Sequence, residues 1–151
     1  MRRKDKEIRD KTRIEQIIQD ARVCRLALAD NGQPYVVPLN FGYRDGVVYF
    51  HSARQGRKID MLKANPRVCL EFSTALELVR GETPCDWGQR FQSVIAFGNA
   101  RLIEDDAAKS AALDIIMAHY GGRGGDYPEK KLKMTAVIEV KLTEMTGKGP
   151  A

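Results

Sequence analysis

The stretch YFHSARQGRKIDML, residues 49 to 62, ends a β-like run in a histidine and a serine and restarts at a Gly-Arg-Lys where a helix would begin. A phosphate dianion is held by a hydroxyl, cations and free backbone N–H groups converging on it, and the first turn of a helix supplies the last of these. Ser52, Arg57 and Lys58, at the two lips of such a corner, would deliver all three. Arg57 can clamp two oxygens while Lys58 adds a compact charge. His51 brings an imidazole, a group able to give or accept a proton near neutral pH, and is the candidate catalytic residue. Taken alone, the same pattern also describes an ordinary solvated corner.

The run before it, YVVPLNF, contains Pro38, which removes a ladder donor from an otherwise good strand. Its backbone is therefore expected to keep an unpaired side, able to hydrogen-bond the edge of a flat heteroaromatic ring. Asn40 would add an amide contact from a strand position that propensity disfavours. The competing explanation is a bulge that protects a sheet edge from aggregation.

These residues need elements to position them. Ile8, Ile14, Ile17 and Ile18 recur at helical spacing over residues 5 to 20. VCRLALA, YVVPLNFGY and VVYFHS then follow, separated by Asn31-Gly32 and Asp45-Gly46, the dipeptides suited to type I′ hairpin turns, and predict a three-stranded meander. A short helix carrying Ile59 and Leu62 stops at ANPR, VCLEFS is a fourth strand, and residues 76 to 90 read as a long loop. FQSVIAFGNARLIE is a long strand in which Gly98 marks a bulge. The Ala-rich helix after it is capped by Asp105 or Asp106, carries Leu113, Ile116 and Met117 on one face, and stops at GGRGG. TAVIEVKL closes the series as a sixth strand. Six strands with short connections suit a small closed or half-closed antiparallel barrel plugged by helices, and a bare apolar face on it would dimerise. His119 is placed to cap a helix C-terminus, and GGRGGDYP lacks the strand and the Lys-Ser/Thr of a P-loop, so it reads as a mobile loop near the cleft mouth.

Composition narrows the function classes. The 151 residues form one domain's worth of chain, 43% hydrophobic and 30% charged, with no apolar run of the roughly 18 residues that a membrane span needs. The basic start has no apolar segment behind it, so a cytoplasmic location is expected. Of the net charge of +5, residues 1 to 13 hold +4 (seven Arg or Lys against three Asp or Glu), so the body is close to neutral and no basic stripe for nucleic acid is expected on it. Cys24, Cys69 and Cys85 are widely spaced with only two histidines beside them, and suggest no metal site. Cys24 and Cys69 read as packed thiols and Cys85 as a more reactive loop thiol.

YVVPLNFGYRDGVVYFHSARQGRKIDMLKANPRVCLEF resembles the FMN core of the pyridoxamine 5′-phosphate oxidase-like split-barrel superfamily. CDWGQRFQSVIAFGNARLIED, IMAHYGG and the closing MTGK are similar, more narrowly, to its nitroimidazole-resistance branch; the likeness runs from about residue 10 to 148. It implies a mainly β fold with flanking helices, a six-stranded antiparallel split β-barrel of the FMN-binding type, as a homodimer with the cofactor at the subunit interface. Carried over by position, it implies that Tyr35, Val36, Val37, Pro38, Leu39 and Asn40 line the flavin ring and ribityl chain. His51, Ser52, Arg57 and Lys58 would grip the phosphate or its approach, and Ser93 would reach the flavin from the partner subunit. Trp87 and Arg90 would wall the substrate side. Two departures stand out: Tyr35 occupies a position where the oxidases typically carry Arg, and the sequence stops at Ala151 without the segment that helps the oxidases bind vitamin B6 phosphate. Pyridoxamine phosphate is accordingly not the expected substrate. The expected function is reduction of small aromatic or nitro compounds with electrons from a reduced nicotinamide; the alternative is a protein that holds FMN, haem or another planar ligand without turnover.

Overall fold

The computed structural model describes residues 4–150, the side chains of residues 75 and 76 excepted, so part of the basic lead-in, residues 1–3, lies outside the described residues. Eight antiparallel strands and four α-helices follow one another: β1 (Glu7–Ile8), α1 (Lys11–Asp20), β2 (Cys24–Asp30), β3 (Gln33–Leu39), β4 (Gly42–Arg44), β5 (Val47–Ala53), α2 (Arg57–Ala64), β6 (Arg67–Val79), β7 (Gly88–Ile103), α3 (Asp106–His119), α4 (Glu129–Met134) and β8 (Thr135–Lys148). The six expected strands are all present. The two additional ones are β1, which takes Ile8 out of the expected helix, and β4, which is cut from the second predicted strand at Asn40 and Phe41.

That cut shapes the molecule. The sheet runs β3-β2-β6-β7-β8-β5-β4, so β3 and β4 are its opposite edges, although only two residues separate them in sequence. Three Cα steps cover at most about 11 Å. The sheet has to roll until its edges nearly meet, which makes a barrel left open between β3 and β4. The expected meander is thus corrected: β3 pairs with β2 and β4 with β5, and β3 does not pair with β5.

Local chemistry fixes the rest. Asn31 and Gly32, and Asp45 and Gly46, all have positive φ (47° and 78°, 50° and 79°), as a type I′ turn requires. The β7–β8 register slips between Phe97 and Gly98, leaving Thr143 unpaired on β8. A side chain at Gly98 would put its Cβ 2.5 Å from the Lys141 carbonyl oxygen, so glycine is required there by close approach. Asp105 caps α3 by accepting from the Ala108 N–H, and Gly121 and Gly122 donate back to the Ala118 and Met117 carbonyls at its far end.

Phe41, Phe50 and Phe72 are fully buried with Leu26, Leu70, Val94 and Ile138 inside the barrel, and α1 closes one end with Ile14, Ile17 and Ile18. Each buried phenylalanine contributes about 1.5–3 kcal/mol. Phe41 sits edge-on to Phe72, ring centroids 5.0 Å apart, which anchors the two-residue link between the sheet edges. The loop expected over 76 to 90 is shorter, because β6 and β7 continue as a two-stranded ribbon to Val79 and Gly88, past the end of the β2 pairing at Phe72. His119 caps the C-terminus of α1 rather than that of its own helix: its Nε2 is 2.8 Å from the Ala21 carbonyl, which can only accept, so Nε2 carries the proton.

Candidate functional site

The corner between β5 and α2 forms as the residue types suggested. Gly56 precedes the helix at φ 118° with no side-chain cap on the first turn, and Ile59 and Leu62 turn inward to fix α2 against the barrel. Arg57 and Lys58 therefore stay at the start of the helix. The Arg57 guanidinium lies over the Tyr35 ring, 4.7 Å from its centroid, so the tyrosine steers the arginine. Lys58 is half-buried, has no hydrogen-bond or ion-pair partner among the described residues, and has its pKa lowered by burial. A cation stripped of part of its water and given no counter-charge favours an incoming anion.

β3 presents the expected unpaired side. Pro38 is opposite Arg25 in the β2 ladder and has no N–H, so this pair is of the non-hydrogen-bonded type, and the Pro38 carbonyl and the amide groups of Val36 point away from β2. Tyr35, Val37 and Leu39 pack inward, while Val36, 59% exposed, Pro38 and Asn40 face out. Asn40 lies just beyond β3, in the link to β4, and not at a strand position as expected.

His51 and Ser52 part company, because successive strand residues point to opposite faces. Val48 and Phe50 point into the barrel core, and Tyr49 packs with Val137 and Leu113 on the other face. His51, paired with Val137, shares that other face. It lines a largely apolar pocket of about 210 Å³ with Leu113, Ile116, Met117, Tyr127 and Lys131. Ser52 donates to the Ala53 carbonyl at 2.9 Å. Arg57, for its part, opens on its flank onto a shallow depression of about 380 Å³ shared with Asp30, Gln33 and Asp60. The corner thus unites Tyr35 with Arg57, and places His51 in a separate pocket.

Sequence reasoning missed Tyr127 and Lys131 as companions of His51, while the face expected to carry Leu113, Ile116 and Met117 is present and lines this pocket. The buried stripe of α3 is Lys109, Ala112, Ile115 and Ile116, whereas Leu113 and Met117 form pocket wall. The overlooked signal was Pro128 followed by a glutamate and then lysines, the charge order of a short helix. The loop before it, expected to be mobile, is tied to α3: the Asp114 carboxylate accepts from the Tyr127 hydroxyl at 3.0 Å and the Gly125 N–H at 3.2 Å.

Ser93 is half-buried on β7, on the outward face that also carries Ile95 and Phe97. Phe97 continues a row across the ladder through Cys69 and Ala27 to Val36. Trp87, 51% exposed, ends the short 3₁₀ turn at Pro84–Asp86. Arg90 is on β7 and not in a loop as expected; it pairs with Glu77 across the ribbon at 3.6 Å. Cys24 is buried, Cys69 half-buried and Cys85 exposed, all as free thiols; burial raises the pKa of the first two.

Residues 10–149 match the family model described as pyridoxamine 5′-phosphate oxidase. The chain belongs to that family. Among solved members of this fold, a candidate 5-nitroimidazole antibiotic resistance protein from Bacteroides thetaiotaomicron VPI-5482 superposes with a TM-score of 0.85 at 41% identity, over 94% of this chain and 85% of that one. An FAD-binding protein from Mesorhizobium loti superposes with a TM-score of 0.70 at 25% identity, over 94% and 96%. An uncharacterised protein of Rhizobium meliloti (strain 1021) is 35% identical over 51 residues, 34% of this chain and about a third (33%) of that protein. The fold is the oxidase-like split barrel, mainly antiparallel β with flanking helices. Among the described residues, no helix is long and apolar enough to cross a membrane.

Proposed function

We propose that the protein binds FMN non-covalently between two copies of the chain and acts as a flavin-dependent oxidoreductase, passing electrons from a reduced nicotinamide to a small aromatic acceptor such as a nitro compound. The observation that carries this reading is Lys58, a half-buried ammonium without a counter-charge beside an arginine already oriented by Tyr35. The residues present fit the group: a phosphate meets two cations and a helix start, and the outward amide groups of β3 suit the polar edge of a planar ring. FMN, when bound, supplies the electron-transfer chemistry; the chain binds it, orients it and keeps water from one face.

The outward row of Val36, Ala27, Cys69 and Phe97 suits burial against a second copy, which would bring Ser93 of one chain towards the cofactor of the other. Nitro compounds as acceptors are supported by the 41% identity to the candidate 5-nitroimidazole resistance protein, and flavin binding by the Mesorhizobium loti relative.

A second reading, a carrier of FMN or haem without turnover, is favoured by one observation: His51, the candidate acid–base residue, lines a pocket that does not include Arg57. The absorption spectrum of the purified protein and the mass of the released ligand identify the guest. Anaerobic mixing with NADH or NADPH separates the two readings. Bleaching of the flavin band followed by recovery on adding a nitroimidazole is expected; a flavin that stays oxidised establishes the carrier.

A further inference from the structure

Three cations from three elements face one small cavity at the start of β8: Arg54 from the β5–α2 connection, Lys63 from α2 and Lys109 from α3. Lys109 is 3% exposed, and its ammonium donates to the Leu132 carbonyl at 3.3 Å. Arg54 donates through Nη1 to the Lys133 carbonyl at 2.8 Å. Both carbonyls lie in the last turn of α4, that of Leu132 also accepting from the Thr135 N–H, so capping is one task of these side chains. Capping uses one of the three donors on Lys109 and one of the five on Arg54. Among the described residues, Lys63 has no hydrogen-bond or ion-pair partner. The single carboxylate on the wall, Glu104, is 3.7 Å from Arg54 and largely exposed.

Three cations against one carboxylate leave two positive charges uncompensated around a half-enclosed space, where their repulsion is screened less than in open water. The cavity measures about 70 Å³, against about 30 Å³ for each water in the liquid. That suits a small oxyanion and not a flavin or nicotinamide ring. Thr135 is on the same wall with its hydroxyl donating to the Lys131 carbonyl, which leaves its oxygen lone pairs for a water or a protonated oxyanion.

We propose that this cavity is a binding site for a small oxyanion of which inorganic phosphate is the simplest example, distinct from the Arg57–Lys58 corner. A dianion here links α2, α3 and the end of α4 through one charge. It also holds Arg54, three residues before Arg57, and so steadies the connection that leads into the cofactor corner.

The test uses the full chain stripped of flavin and titrated with inorganic phosphate at constant ionic strength, followed by calorimetry and thermal melting. Working in an Arg57→Ala/Lys58→Ala background removes the other phosphate-binding corner. One saturable phosphate per chain and a rise in Tm are expected there. Lys63→Ala, which removes an exposed side chain with no hydrogen-bond or ion-pair partner among the described residues, should weaken binding about three- to tenfold, and a folded Lys109→Met variant should weaken it further. Glu104→Gln should tighten it. Absence of saturable binding, equal stabilisation by chloride, or binding untouched by Lys63→Ala would each overturn the proposal, whether or not flavin binds elsewhere.

Discussion

Tyr35 on the edge strand β3 and Arg57 at the start of α2 meet with the guanidinium 4.7 Å from the ring centroid, and this contact joins the two parts of the proposed cofactor site. Removing the ring should cost the cation–π term of about 0.5–1 kcal/mol. Tyr35→Ala is therefore expected to weaken FMN two- to fivefold by fluorescence titration, while Tyr35→Phe keeps wild-type affinity. If Tyr35→Phe weakens FMN as much as Tyr35→Ala, the hydroxyl and not the stacked ring is the operative group.

Arg57→Ala with Lys58→Ala should do far more. Charged hydrogen bonds contribute roughly 1.5–3 kcal/mol each, so the double variant should lose about 3–6 kcal/mol of FMN affinity while the apoprotein still folds. A folded double variant with wild-type affinity removes this corner from the site.

Lys58 makes affinity and stability respond to pH in opposite senses. Burial lowers its pKa in the folded chain, so between that lowered value and the ordinary 10.5 the unfolded chain holds more protons and stability rises with pH. The proposed FMN phosphate pairs with the protonated form, so its affinity should fall as pH rises through the same window. Lys58→Arg should abolish this fall, as measured by titrations across alkaline pH; a fall that persists in the variant assigns the titration to another group.

Gly98→Ala should destabilise the barrel by about 1–3 kcal/mol, the usual cost of overpacking. The new Cβ would be 2.5 Å from the Lys141 carbonyl oxygen and 2.8 Å from Val140 Cγ1, in mid-sheet where backbone has little room to shift. A lowered urea midpoint with an unchanged slope is the expected result; an unchanged midpoint would show that the bulge relaxes.

Ile95→Asp with Phe97→Asp charges the outward face of β7 without touching the barrel core. Sedimentation should then report a monomer, with weakened FMN binding because Ser93 of a second copy is no longer delivered. A double variant that sediments as the wild type does would place the interface elsewhere.

Much of this molecule was legible in short stretches of sequence. Asn31-Gly32 and Asp45-Gly46 specified their turns because few other residues tolerate positive φ. Gly56-Arg57-Lys58 marked a helix start, and Pro38 an unpaired strand side, because each is a property of the residue itself. The short helix after Pro128 was missed because six residues give too little periodicity to register.

What the sequence determined by itself, then, was six of the eight strands, the tight turns among them and the residues with charge or hydroxyl to offer. Only the tertiary structure decided which of them meet. The roll of the sheet between Leu39 and Gly42, the stacking of Arg57 on Tyr35, the assignment of His51 to the α3–α4 pocket and the convergence of Lys63 and Lys109 are all set between elements and not within one. Such contacts follow from how whole faces bury together, a condition on the entire fold that no local run of residues contains.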